Sequence, residues 1–274
     1  MARTFLILLI ACAPAAAQEA TLDVLDGETL YENGWLFTFG HEWERLEGRG
    51  VDRTLFRQTT ALAAHYGLRY DVQLSAILPY VDTLVEGAGL PDEEKSGAGD
   101  FAFIGKWRIQ RWDAPGVGTN LALIGGLEIP AGSQSEGALD PSLGVAITHE
   151  PGRWRFNAAM LCSHSGAGDD GFRPGDGIFF ELAAGNRFWL EPYPGPFMRL
   201  DVMVRYRHED RDRLAGADIP ASGRDLWTAG ATLAFRPRPT LDFQLFVEAP
   251  LHENVRDGGF EEGISVLFVM GYRI

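Results

Sequence analysis

The chain has almost nothing with which to staple itself. It carries two cysteines in 274 residues. Cys12 lies in an N-terminal leader, so removal of the leader leaves Cys162 alone and excludes both an intramolecular disulfide and a zinc site built from cysteine pairs. Long hydrophobic runs are absent too. No stretch approaches the roughly 18 consecutive apolar residues of a spanning helix, which excludes an inner-membrane helical protein. Positive charge is scarce, with 24 Lys and Arg against 38 Asp and Glu and a net charge of -14. A phosphate-binding surface needs a basic stripe, so nucleic acid is not an expected partner. The 6 histidines, at 41, 65, 149, 164, 208 and 252, show no metal-ligand spacing. The glycines in GAGDF and GGLEIPAG lack the strand-to-helix context of a phosphate loop, so neither a metal nor a cofactor is expected.

What is present begins with MARTFLILLIACAPAAA, residues 1–17. A basic start, a short apolar run and a small-residue site before Gln18 predict a secretory signal peptide. The stretch Leu9-Ile10-Ala11-Cys12 leaves open a lipoprotein reading in which Cys12 is acylated. Residues 18–33 carry acids at Glu19, Asp23, Asp26, Glu28 and Glu32 with little periodicity, and are expected to form a flexible N-terminal segment.

From Gly34 to the C-terminus the pattern is different. Segments of about ten residues alternate apolar with small or polar residues between Gly, Pro, Asp and Asn clusters, as expected of membrane β-barrels. Twelve such segments can be counted, for example Trp35, Phe37, Phe39 and Trp43 in the first and Met198, Leu200, Val202, Val204 and Tyr206 in the ninth. The last row, Ile264, Val266, Phe268, Met270, Tyr272 and Ile274, runs to the final residue. So apolar a terminal strand needs a partner on both edges, and barrel closure provides one. A soluble sandwich also alternates, so the connections decide. Segments 81–98, 110–119, 130–139, 149–152, 164–176, 190–196, 207–224, 236–239 and 250–261 are mostly long and short by turns. This matches external loops and periplasmic turns. The long set sums to a formal charge of -9, a solvated acidic rim. Trp35, Trp107, Trp112, Trp154 and Trp189 fall near predicted periplasmic ends and Trp43 and Trp227 near external ends, as interfacial girdles require. The predicted fold is all-β, a transmembrane antiparallel up-and-down barrel of about 12 strands over residues 34–274.

The inward parity carries Glu42, Glu44, Asp71, Glu128, Glu181, Asp201, Asp242 and Glu248 against Lys106, Arg108, Arg153, Arg155, Arg187, Arg199, Arg205 and Arg273. A dry sandwich core does not accept so many ions, whereas a wet or salt-bridged lumen does. Two readings stay open: a polar conduit that screens solutes, or a ladder of ion pairs that fills and stiffens the barrel. CSHSG at 162–166 raises a third possibility, a lipid hydrolase using His164, but Gly166 stands where such enzymes have a serine two residues past the histidine, so no catalysis is expected.

Several phrases resemble a known family: SGAGDFAFIGKWRIQ (96–110), LALIGGLEIPAGSQ (121–134), ALDPSLGVAIT (138–148) and GRWRFNAAM (152–160). The family is the meta-pathway phenol-degradation group of outer-membrane, transporter-like proteins. The matching positions are Gly97, Gly99 and Asp100, the turn Pro130-Ala131-Gly132 where that family usually has Pro-Thr-Gly, and Asp140-Pro141. The chain ends in Ile274 where many outer-membrane barrels end in Phe. The resemblance implies insertion in the outer membrane of a Gram-negative envelope, contact with its lipid, recognition of the C-terminal strand by the barrel-assembly machinery, and passage of small hydrophobic or aromatic solutes. A non-conducting structural or lipid-contacting barrel is the alternative.

Overall fold

The computed structural model describes residues 25–50, 52–87, 92–135, 137–168, 171–220, 222–255 and 259–274. The predicted signal peptide and residues 18–24 lie outside this set. The strands run in chain order as β1 (Trp35–Gly48), β2 (Arg53–Arg69), β3 (Val72–Gly87), β4 (Glu93–Ala98), β5 (Phe101–Ala114), β6 (Val117–Ile129), β7 (Asp140–Pro151) and β8 (Trp154–Ser163). They continue as β9 (Phe172–Arg173), β10 (Gly177–Leu190), β11 (Phe197–Glu209), β12 (Arg213–Leu214), β13 (Ala217–Asp218), β14 (Arg224–Arg238), β15 (Leu241–Val255) and β16 (Phe260–Arg273).

Twelve of these close a barrel. Each pairs antiparallel with its neighbours in the order β1, β2, β3, β5, β6, β7, β8, β10, β11, β14, β15, β16, and β16 returns to β1. The closing ladder runs from Leu36↔Arg273 to Gly48↔Phe260. Trp35 and Ile274 exchange both backbone hydrogen bonds, at 3.0 and 2.9 Å. The alternation persists to the last residue because that residue's backbone is paired; closure leaves no open edge in the hydrocarbon.

The outer face is apolar as the parity predicts. Phe37, Leu74, Phe103, Val145, Met160, Leu182, Val202, Leu233, Leu245 and Met270 are all exposed, an arrangement that hydrocarbon stabilises and water does not. All seven tryptophans are exposed as well. Trp35, Trp107, Trp154 and Trp189 lie near the barrel end that carries the chain termini. Short turns join strands at this turn end. In two of them Gly116 (φ 73°) and Gly152 (φ 64°) supply the left-handed backbone that a tight hairpin needs. The other end carries the long connections and is the loop end; there β12 pairs with β13 and β9 outside the barrel.

One expected loop is not a loop. The segment 81–98 was to be a connection, but β3 continues to Gly87 and pairs with β4, from Tyr80↔Ala98 to Val85↔Glu93. The inner half of β3 pairs with β5, from Val72↔Trp107 to Ile77↔Ala102. So β4 and β5 form one wall strand broken at Gly99-Asp100. Beyond Tyr80 the inner face of β3 stays buried at Val81 and Thr83 while its outer face turns to Asp82 and Glu86, so the outward apolar row that marks a strand in the sequence ends while the backbone pairing does not.

Candidate functional site

Inside the barrel the side chains form a filled interior with three zones. Towards the loop end lies an ion network. Arg224 reaches Glu262 at 2.6 Å and Glu209 at 3.0 Å, Arg207 reaches Glu262 at 3.0 Å, and Arg57 reaches Glu44 at 3.5 Å. Deeper, Arg205 bridges Glu181 at 2.9 Å and Glu248 at 2.6 Å, and its guanidinium lies over the rings of Phe246 at 4.6 Å and Phe179 at 5.8 Å. Thr228 donates a short hydrogen bond to the other oxygen of Glu248. Glu42 and Glu128 are buried in the wall.

The middle zone is apolar. Ala61, Ala63, Ile77, Ala102, Ile104, Ile124, Ala146, Ala159 and Leu161 form one buried cluster, and Met203, Phe246, Leu267 and Val269 a second. Read for charge alone, the inner parity gives no hint of this greasy middle; the alanines and isoleucines between the ions were its visible signal.

At the turn end the chain's own N-terminal segment enters the lumen. The sequence marks residues 18–33 as a flexible segment; of these, residues 25–33 are held at several points. Leu25 packs into the first apolar cluster. Asp26 accepts from Lys106 at 2.6 Å and from Arg155 at 2.7 Å. The Gly27 amide donates to Thr148 Oγ1 at 2.9 Å, Leu30 N to Gln73 Oε1 at 3.0 Å, and the Tyr31 hydroxyl to the Ile274 carbonyl at 2.5 Å. Gly27 has no room for a side chain, because a Cβ would lie 2.5 Å from the Asn120 carbonyl. A cationic lumen wall draws in an acidic segment, and its desolvated carboxylate is matched by two cations.

Beside this segment a cavity of about 440 Å³ remains. Inward residues named from the sequence meet here. Arg187 pairs with Glu150 at 2.7 Å, Arg199 with Asp201 at 2.7 Å, and Asp242 takes ion pairs from Arg273 and Arg236. Arg108 donates to the Tyr70 carbonyl at 2.5 Å, and Asp71, in the β2–β3 turn, pairs with Arg69 at 3.3 Å. Arg153 departs from the expectation. It sits exposed in the two-residue turn between β7 and β8 and not on the inner row, because the parity count breaks where the chain reverses. The parity count also missed Arg207, Glu209 and Arg224, placed in a loop although the first two continue the odd-numbered row of Arg205, and Arg236, placed in a turn.

The family-motif residues lie at the loop end and act on packing. The Ala131 amide donates to Asp100 Oδ1 at 3.3 Å, and Gln134 N donates to the Ala98 carbonyl at 3.1 Å. A Cβ on Gly132 would run into the carbonyls of Ala98 and Gly99, and one on Gly97 into Ser133 Oγ. The connection 130–139, entered at Pro130, thus clasps the break between β4 and β5. Asp140, followed by Pro141 at the start of β7, accepts from the Gly166 amide at 2.7 Å. His164 Nδ1 lies 3.1 Å from Asp176 Oδ1 and 3.3 Å from Arg173 Nη2, donating to the first or accepting from the second according to its tautomer, while the Ser165 hydroxyl is donated to the Gly175 carbonyl. Against the cost of burial, the Ser165 amide and the Arg173 guanidinium hold the Asp176 carboxyl below the usual carboxylate range. Asp212 in the neighbouring loop is pushed up to about 6 by burial, against a hydrogen bond from the Gly175 amide.

Residues 50–268 match the model of the family described as "Putative MetA-pathway of phenol degradation". Comparison with curated proteins finds no match. Among solved structures the chain is similar to an outer membrane channel from Pseudomonas putida F1, with TM-score 0.72 and 14% identity over 91% of this chain and 98% of that one. It is also similar to the β domain of the Bordetella autotransporter BrkA, with TM-score 0.52 and 10% identity over 89% of this chain and 100% of that one.

Proposed function

The chain belongs to the family of outer-membrane barrels described by the phenol-degradation model, which matches residues 50–268, and we propose that it admits small apolar molecules, aromatic ones among them, across the outer membrane. The observation that carries this reading is the apolar middle of the lumen. A conduit for sugars or ions keeps its inner face wet, whereas one for apolar solutes offers them an inner surface of low polarity. The family's description supports an aromatic solute, the loop end faces outward, and the C-terminal strand is the segment the barrel-assembly machinery takes up. In this reading the lumen opens when residues 25–33 withdraw, and the barrel performs no catalysis.

The test is entry of the neutral aromatic dye N-phenylnaphthylamine into intact Gram-negative cells, whose outer leaflet excludes it. Cells making the protein should take it up several-fold faster than cells without it, and Asp26→Ala should raise the rate again. Unchanged uptake with both proteins, each shown folded by heat-modifiable gel migration, would leave a non-conducting structural barrel. Release of fatty acid by the purified protein, lost in His164→Ala, would instead make it a lipid hydrolase.

A further inference from the structure

The turn-end cavity has a chemistry that apolar passage does not use. Five arginines that line it, Arg155, Arg187, Arg199, Arg236 and Arg273, together with Lys106 beside it, are ion-paired with five carboxylates, Asp26, Glu28, Glu150, Asp201 and Asp242. One positive charge is left over, in a chain whose net charge is -14. Glu150 is in addition drawn on by Arg155, whose Nε lies 3.8 Å away. The cations are also of one kind. The chain has only two lysines, Lys95 and Lys106, and the cavity is lined with arginine, whose planar fork binds a carboxylate through two parallel hydrogen bonds.

Arg199 and Arg236 hold their carboxylates through Nε, which leaves the terminal N–H groups of each guanidinium to bond a second acid. The ring of Phe197 lies against two of the cavity's arginines, Arg236 and Arg187. Arg236 lies 4.8 Å and Arg187 5.7 Å from its centroid, and Phe197 lines the same cavity. Guanidinium planes already stacked on one aromatic face present their other face to a second ring. A volume of about 440 Å³ suits a small molecule.

We propose that this vestibule is a binding site for an aromatic carboxylate, whose acid group takes up the excess guanidinium charge while its ring stacks beside Arg236 and Phe197. The site rests on the reading of the barrel as a passage for aromatic compounds and adds a station on its inner side, where an ionised acid is held apart from the neutral molecules that cross the apolar zone.

Equilibrium binding to the purified full chain in detergent, followed by saturation-transfer NMR with benzoate, benzyl alcohol and acetate as probes, tests this without any flux. Benzoate should bind at least tenfold more tightly than the neutral aromatic benzyl alcohol and than acetate. Arg236→Gln should weaken benzoate at least tenfold, and Phe197→Leu, which keeps every charge, should bring benzoate to the level of acetate. Equal binding of benzoate and benzyl alcohol to the parent overturns the site, as does parental benzoate affinity in a folded Phe197→Leu variant. A barrel that binds benzoate but fails the dye-uptake test keeps this site and loses the passage.

Discussion

The two ends of the lumen are built from the same residue types and balanced in opposite directions. At the loop end Arg57, Arg207 and Arg224 serve Glu44, Glu209, Glu253 and Glu262, one acid more than bases. At the turn end Lys106, Arg155, Arg187, Arg199, Arg236 and Arg273 serve Glu150, Asp201, Asp242 and two carboxylates supplied by a segment of the chain itself, Asp26 and Glu28, one base more than acids. The loop-end ions are fixed to strands and cross-linked by registered backbone, so none can leave without the wall. At the turn end the segment is tied by side-chain contacts and a few hydrogen bonds and by no strand ladder. The lesson is that strand-borne ion pairs stiffen, and segment-borne ion pairs occupy.

That contrast predicts unequal costs. Arg224→Leu removes the cation shared by Glu209, Glu253 and Glu262 and leaves Arg207 on Glu262, and should destabilise the barrel by about 3 to 5 kcal/mol in urea unfolding followed by tryptophan fluorescence. A loss below one kcal/mol would show that the loop-end network does not stiffen the wall. Gly132→Ala drives a methyl into the clasp at Ala98 and Gly99 and should cost about 1 to 3 kcal/mol in the same assay. Asp26→Ala should cost less, about 1 to 2 kcal/mol, because water follows the departing segment and rehydrates Lys106 and Arg155. Hydrogen exchange at the Gly27 and Leu30 amides should rise in that variant while exchange in the wall strands stays fixed.

The smallest effect is expected beyond the loop end, at Asp212. Its carboxyl titrates near 6 in the folded loop, above the ordinary value, so the folded loop binds a proton that the open loop does not. Loop stability therefore rises as pH falls from above 6 towards 4 and is reduced at neutral pH. Exchange at the Gly175 amide, corrected for its intrinsic rate, should slow a few-fold between pH 7.5 and 5, and Asp212→Asn should remove the difference.

The barrel was legible in the sequence because hydrocarbon imposes a period of two on every residue it touches. Phe37, Leu182 and Met270 could be assigned outward from their neighbours alone, and the turns expected at 149–152 and 236–239 fall slightly later, at 152–153 and 239–240. Legibility stopped where the membrane stops. In the upper part of β3 and around the pairs made by Arg207, Glu209 and Arg224 the inner face stays buried but the outer face carries polar residues such as Asp82, Glu86, His208 and Asp225, and there polarity no longer reports direction. Arg153 failed for a related reason, since a turn has no parity to count.

The sequence by itself determined which side of each strand meets lipid, how many strands there are and that the chain closes on its own C-terminus, since all three follow from local alternation and connection length. Which carboxylate meets which guanidinium, that the middle of the lumen is greasy, and that residues 25–30 fold back into the lumen were decided only in three dimensions. Those contacts join positions such as Asp26 and Arg155, or Tyr31 and Ile274, far apart in the chain and brought together only when the wall curves round. Only a closed cylinder has an interior for them to share.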